Sequence, residues 1–288
     1  MQSASINMQQ PPDLLAWALE NDNYSKDGAD YTTTEILRPP QMTYLSQIGA
    51  AQSMPRYKAF MSLMGTGVHN ALEDAAPSDA IVERRFYHTF DIEGQKVKLG
   101  GKPDFIHNQL LNDYKVILVN GKPNDGMPKP DHYLQGCFNS WLAHVNDVEV
   151  HTGCVEYIFR DWSPGVAERQ STYPQKPNMP ISFELPSWDE IEQMIVTRLT
   201  LHVRAKAGIN TPCNDEERWK RPDAWALKKP NNKRARKLCL SADDALENKK
   251  QGEEIEFRQG GCVRCDNWCE YSHICPQHNQ SHIISHAK

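Results

Sequence analysis

The sequence predicts an α/β protein, with helices packed around a mixed sheet over roughly residues 42–208 and a cysteine-clasped module from 209 onward. Three observations carry that prediction. Apolar residues recur at helical spacing in two long segments, one starting at Thr43 and one at Asp131. Between and after them lie β-branched and aromatic runs separated by short polar turns. Near the C-terminus, four of the eight cysteines fall within fourteen residues.

A chain of 288 residues holds one large domain or two small ones. With 39% hydrophobic and 24% charged residues it reads as an ordinary soluble globular protein. A formal charge of -5 supplies no global basic field, so nucleic-acid contact would need a local patch. The N-terminal residues lack a basic segment followed by an apolar one, which predicts a cytoplasmic rather than a secreted protein. No run approaches the ~20 apolar residues of a membrane span. In a reducing cytoplasm the cysteines are expected as thiols or metal ligands, not disulfides.

Residues 1–41 read as a polar arm, with Pro11-Pro12, Pro39-Pro40 and a Thr32-Thr33-Thr34 run; Leu14, Leu15, Trp17 and Leu19 could form a short helix or docking segment. The helical reading from Thr43 breaks at Pro55 and resumes at Arg56, placing His69 and Glu73 on one face. Gly65 and Gly67 weaken that helix by about 1 kcal/mol each unless close packing requires them. Ile81–Leu99 reads as two strands joined at Glu93-Gly94; Glu83 begins this hairpin and is expected at a solvated strand end, with a place lining the same cleft as the alternative.

Next comes GGKPDFIHNQLLNDYK, Gly100 to Lys115. Apolar pairs flank the polar His107-Asn108-Gln109, which is the pattern of a β-hairpin. A turn centred between Asn108 and Gln109 sets Asp104 opposite Asp113, with Lys115 on the same face. Opposed carboxylates repel by roughly 0.2–1 kcal/mol, and a divalent cation between them reverses that sign. The apolar Val116-Ile117-Leu118-Val119 predicts a buried strand, where carboxylates are costly unless paired or liganded. Gly100-Gly101 allows close approach of another group.

A loop carrying Lys122 and Lys129 precedes a helix with Tyr133, Leu134, Phe138, Trp141 and Leu142 as its apolar stripe. Val148–Phe159 is expected to close the sheet. A Pro-rich linker follows through Pro174, Pro177 and Pro180. Ser187 and Glu190 then form a capping-box pattern before a helix with Ile191, Met194, Ile195 and Leu199 inward.

Beyond Cys213 the chain reads as a basic hairpin. Lys228, Lys229, Lys233, Arg234, Arg236 and Lys237 occur without an intervening acid, near Trp219 and Trp225. Cations with aromatics suit a single-stranded nucleic-acid groove. The tail Cys262-x2-Cys265-x3-Cys269-x5-Cys275 is a metal-ligand pattern, and a local zinc site would use all four.

The G-G-K-P-D at 100–104 followed by D-Y-K at 113–115 resembles the PD-(D/E)XK nuclease superfamily in its RecB-type branch, which includes CRISPR-associated and phage exonucleases with an iron–sulfur cluster. The resemblance spans roughly Leu45 to Gln277. It implies a PD-(D/E)XK core and a Mg²⁺- or Mn²⁺-dependent DNA nuclease, most simply an exonuclease of recombination, repair or phage genome processing. By resemblance, Asp104, Asp113, the Tyr114 carbonyl and His69 would hold the metal. Lys115 would act on the attacking water or transition state, and Gln135 would orient substrate. The family aromatic four residues after the glutamine is Asn139 here.

In the better-known cluster-bearing members one cysteine lies near the N-terminus, whereas this chain has none before Cys137. Pro-Cys-x-x-x-Glu-Arg-Trp at 212–219 and the tail resemble the phage members. That likeness implies a 4Fe–4S cluster on Cys213, Cys265, Cys269 and Cys275, with Zn²⁺ as the alternative. Implied partners are single- or double-stranded DNA and a recombination protein, in a bacterial or phage-infected cytoplasm, with no membrane. Two other readings stay open: a catalytically silent nuclease-fold adaptor, and a purely structural zinc protein.

Overall fold

Alternating side chains over residues 105–117 build the central ladder of the structure, a computed structural model that describes residues 25–52 and 56–279, with the backbone alone at 56–59. The apolar group at Leu14–Leu19 and the break at Pro55 lie outside the described residues. The chain divides into two units, one from Met1–Leu37 with Met54–Thr200 and one from Arg38–Ser53 with Leu201–Lys288. These limits differ from the expected 42 and 209.

In the first unit, residues 31–37, expected within an appended arm, belong to the core. β1 (Tyr31–Thr32) pairs in parallel with β4 (Gln95–Gly101), Tyr31 against Leu99 and Thr32 against Gly100. Thr32 then caps α1 (Thr33–Ile36) in a reciprocal box with Glu35. Tyr31, Ile36 and Leu37 are buried, which is why this segment joins the core. β4 is antiparallel to β3 (Phe86–Ile92) through a turn at Glu93 and Gly94, both at positive φ. A Cβ on Gly101 would lie 2.6 Å from both Asn139 Oδ1 and Leu142 Cδ1, so glycine permits the close approach expected of it.

The second sheet of this unit runs β2 (Ile81–Val82), β5 (Phe105–His107), β6 (Leu110–Ile117), β7 (Thr152–Phe159), β8 (Asn178–Glu184). β5 and β6 pair with Ile106 against Leu111 and His107 against Leu110, the register expected for a turn at 108–109. Asn108 (φ 49°) and Gln109 (φ 62°) are both left-handed, as a two-residue hairpin turn requires. Because β2 pairs with β5, the residues from Ile81 do not form one strand with β3.

β6 and β7 are parallel, connected through α4 (Pro130–His144), which buries Phe138, Trp141 and Leu142; Tyr133 and Leu134 are only half-buried. β7 begins at Thr152 and not at Val148, because the preceding residues wrap the helix end: Asp147 is left-handed and Val148 N–H returns to Ala143 O at 3.0 Å. The expected linker contains strand β8. Pro180 is tolerated there because β8 lies at the sheet edge. α3 (Arg56–Asp74) carries His69. Short α5 (Pro164–Ala167) follows β7, and α6 (Trp188–Lys206) starts from the Ser187–Glu190 capping box and buries Ile191, Ile195 and Leu199.

The second unit holds α2 (Pro40–Ile48) and an antiparallel sheet of β9 (Ala224–Lys228), β10 (Lys237–Cys239) and β11 (Glu254–Arg258), ordered β10-β9-β11. β9 and β10 are the expected basic hairpin, while β11 is an additional strand. α7 (Ala242–Asn248) packs Ala245 onto Leu227 and Cys239, with Trp225 and Ile255 against them. α8 (Val263–Asn267) opens the cysteine tail. Among the described residues no helix is long and apolar enough to cross a membrane.

Candidate metal centre and cysteine pocket

The hairpin register puts Asp104, just before β5, opposite Asp113 on β6. Both are buried, and Asp113 completely. Tyr114 N–H donates to Asp104 Oδ2 at 2.7 Å. Lys115 Nζ lies 2.5 Å from Asp113 Oδ2, yet neither Asp113 oxygen makes a hydrogen bond of acceptable geometry. Burial pushes the Asp113 carboxyl up to about 6, Asp104 adds to this, and Lys115 opposes it. Burial also raises Asp104, but His69, Lys115 and the Tyr114 N–H outweigh it and hold that carboxyl below its ordinary value. Two neighbouring acids are thereby driven apart by their surroundings.

α3 brings His69 into the same group. Its Nδ1 stands 3.5 Å from Asp104 Oδ1, and its Nε2 is 3.1 Å from the Tyr114 carbonyl oxygen. A carbonyl only accepts, so Nε2 carries the donated proton. The hydrogen bond to Asp104 raises the His69 pKa against the opposing effect of burial.

The expected solvated end at Glu83 is instead part of this centre: His69, Glu83 and Asp104 offer ligand atoms within 4.8 Å of one another. Glu73, the acid expected beside His69, is exposed. Gln135 is half-buried on α4 and makes no hydrogen bond to the group. Asn139, where the family has an aromatic, is buried and accepts from Thr33 Oγ1 at 2.9 Å.

His132 is a further member that sequence reasoning passed over. Its Nδ1 lies 3.1 Å from the Tyr157 hydroxyl, which accepts Lys129 N–H at 2.9 Å. Tyr157 is buried and pairs with Lys115 across the ladder. Its own proton is therefore satisfied by donation to His132 Nδ1. Burial, with Lys115 and Lys129, pushes the imidazole down to about 3, so His132 is neutral. A histidine at the first turn of an amphipathic helix carried no signal of this.

In the second unit, Cys213, Cys265, Cys269 and Cys275 line one cavity with Arg218 and Arg264, and Cys262 does not line it. Gln277 clamps Cys213 at two points: Cys213 N–H donates to Gln277 Oε1 at 3.1 Å, and Gln277 Nε2 donates to Cys213 O at 2.8 Å. Gln41 Oε1 accepts from the same N–H at 3.1 Å. Burial pushes the Cys213 thiol up to about 12, with Glu217, Cys265, Cys275 and Cys269 adding to it. Among the described residues no three cysteine sulfurs come within 4.8 Å of one another.

The basic run is only partly free. Lys228 pairs with Glu254 and Glu256, Arg236 with Glu253, and Lys237 with Asp244. Lys229, Lys233 and Arg234 form no ion pair among the described residues. Trp225 is half-buried and packs on Phe257 with ring centroids 5.2 Å apart, whereas Trp219 is exposed with Arg264 over its ring at 4.5 Å.

No protein-family model and no curated protein matches this chain. Among solved structures, the crystal structure of SSO0001 is similar over 72% of this chain and 89% of its own, at 19% identity and a TM-score of 0.46. A likeness so distant has no bearing on activity.

Proposed function

We propose that the first unit is a PD-(D/E)XK-type nuclease core that hydrolyses DNA phosphodiesters with Mg²⁺ or Mn²⁺. One observation carries the reading: Asp113 is fully buried opposite Asp104, ion-paired to Lys115 and with no hydrogen bond of good geometry to either oxygen. A buried carboxylate in that state is expensive unless a cation completes it. The donors fit a hard divalent ion, with Asp104, Asp113 and the Tyr114 carbonyl offering oxygens and His69 a nitrogen. When bound, such an ion activates water for attack and neutralises charge at the scissile phosphate.

The remaining work falls to side chains. Tyr114 N–H fixes Asp104 in place, and the Tyr114 carbonyl orients His69. Lys115, held at Asp113, places an ammonium where phosphate charge would develop. Neutral His132 stands beside it without adding to the charge. The unpaired Lys229, Lys233 and Arg234 would bind phosphates without sequence preference.

For the second unit, Cys213, Cys265, Cys269 and Cys275 would hold a 4Fe–4S cluster, which when bound cross-links distant parts of the chain. These four thiols line one cavity, whereas a local zinc site on the tail would need Cys262, which does not line it.

End-labelled single- and double-stranded DNA, incubated with full-length protein and Mg²⁺ or Mn²⁺, tests the activity. Cleavage that is lost in Asp104→Asn and Lys115→Ala is the expected result. DNA binding without cleavage in either metal would favour the silent adaptor.

A further inference from the structure

We propose that Glu83 is a ligand of the cation centre, completing a position with His69 and Asp104, and that Lys102 is its competing counter-ion. This rests on the metal-dependent reading above and adds to it a residue which that reading does not use.

β2 pairs with β5, Ile81 against Ile106 and Val82 against Phe105. Continuing that register one step sets Glu83 beside Asp104, and Glu83 N–H reaches Asp104 O at 3.3 Å. The next strand sets Asp113 opposite Asp104. Three carboxylates thus stand at one level across three neighbouring chain segments, where like charges repel. Two ammonium groups answer them, Lys102 on Glu83 and Lys115 on Asp113.

His69 is oriented as a ligand. Its Nε2–H is spent on the Tyr114 carbonyl, so Nδ1 is the ring nitrogen that faces Asp104 Oδ1, 3.5 Å away, and the one a cation would take in place of the proton shared with that carboxylate. Metal-binding histidines are held in this way, by a carbonyl on the ring nitrogen that does not bind. Glu83 contributes a carboxylate oxygen within 4.8 Å of both partners. Asp113, opposite Asp104 in the ladder, is fully buried and ion-paired to Lys115 with no hydrogen bond of good geometry to either oxygen, so a further carboxylate adds its charge beside these three. Carboxylates with an imidazole suit Mn²⁺.

Lys102 makes the proposal specific. Its ammonium is half-exposed and sits on Glu83, so a divalent ion must displace it. A merely structural Glu83–Lys102 pair predicts no gain in metal affinity when the lysine is removed.

The test is Mn²⁺ binding to metal-depleted full-length protein by calorimetry, with circular dichroism to verify folding. Glu83→Gln should weaken Mn²⁺ binding at least tenfold, within the range of roughly 10–100-fold for lost support at metal sites. Lys102→Met should tighten it several-fold. Wild-type affinity in Glu83→Gln, or no gain in Lys102→Met, overturns the inference. If Asp104→Asn still abolishes binding in that case, the nuclease reading stands without Glu83. A wild-type protein that binds no Mn²⁺ overturns both.

Discussion

Replacing Asp113 with asparagine should stabilise the metal-free protein at pH 7.5, although it removes a central residue of the candidate centre. Burial lifts the Asp113 pKa from an ordinary 3.8 to about 6, with the attraction of Lys115 already included. A difference of about two pH units means that ionised Asp113 costs on the order of 3 kcal/mol of stability. Asparagine removes that cost but brings an amide into a site with no hydrogen-bond partner, at about 1–2 kcal/mol. A net gain of about 1–2 kcal/mol remains. For a unit of this size it raises the melting temperature by roughly 2–8 °C.

The sign against pH follows from linkage. Because the folded pKa is raised, the folded state holds the Asp113 proton more tightly than the unfolded chain does. The penalty is fully present above about pH 6 and disappears as the pH falls towards 3.8. His132 acts oppositely over an overlapping window. Its folded pKa, pushed down to about 3, gives stability present above 6.5 and lost on acidification. Only the difference between wild type and Asp113→Asn isolates the carboxylate. Thermal melts in chelator from pH 7.5 to 5 should show the variant's advantage shrinking. In Mn²⁺ the order should invert, because ligand at 100 times its Kd adds about 2.7 kcal/mol to the wild type alone. A variant less stable than wild type in chelator at pH 7.5, with no Mn²⁺ stabilisation of the wild type, would refute the reasoning.

Four further outcomes are expected. Gly65→Ala and Gly67→Ala should each stabilise the first unit by about 1 kcal/mol in denaturant titrations, since a Cβ at either helical position meets open space. Neutralising Lys229, Lys233 and Arg234 should flatten the salt dependence of DNA binding by up to about three ions, whereas neutralising Lys228, Arg236 and Lys237 should chiefly lower the melting temperature of the hairpin sheet. His132→Phe should cost about 1–2 kcal/mol by leaving the buried Tyr157 hydroxyl without an acceptor, measured by chemical denaturation. Anaerobically purified protein should be brown and carry iron, with Cys213→Ser bleaching it and Cys262→Ser leaving its colour; a colourless zinc protein with the reverse sensitivity would exclude the cluster.

What could be read in the sequence follows how local the determining interaction is. The 104–113 pairing was legible because a two-residue turn and the period of a strand fix it within ten positions. Ser187 with Glu190 was legible for the same reason. β1 was not, since Tyr31 finds its partner at Leu99 only after the intervening hairpin forms. Glu83 could be read only as one of two alternatives, because its place depends on β2 joining β5, a pairing that no turn announces. The basic run looked free because its acids, Asp244, Glu253, Glu254 and Glu256, arrive later in the chain on α7, at the edge of β11 and in β11.

Cys213 shows both sides of that rule. Spacing alone favours Cys262, three residues from Cys265, and only resemblance pointed upstream. In the structure Cys262 belongs to a bridge with Lys220, whereas Cys213 lines the cavity with the other three thiols. The clamp from Gln277, sixty-four residues later, explains how so distant a cysteine is held. A loop of that length costs only logarithmically more to close than a short one. Two amide hydrogen bonds, each worth about 1 kcal/mol, offset much of that excess before any metal binds. If Cys213 is the fourth ligand as proposed, choosing it over the adjacent Cys262 is therefore inexpensive in chain entropy, and it would join the tail to residues some fifty positions upstream where a local site would not.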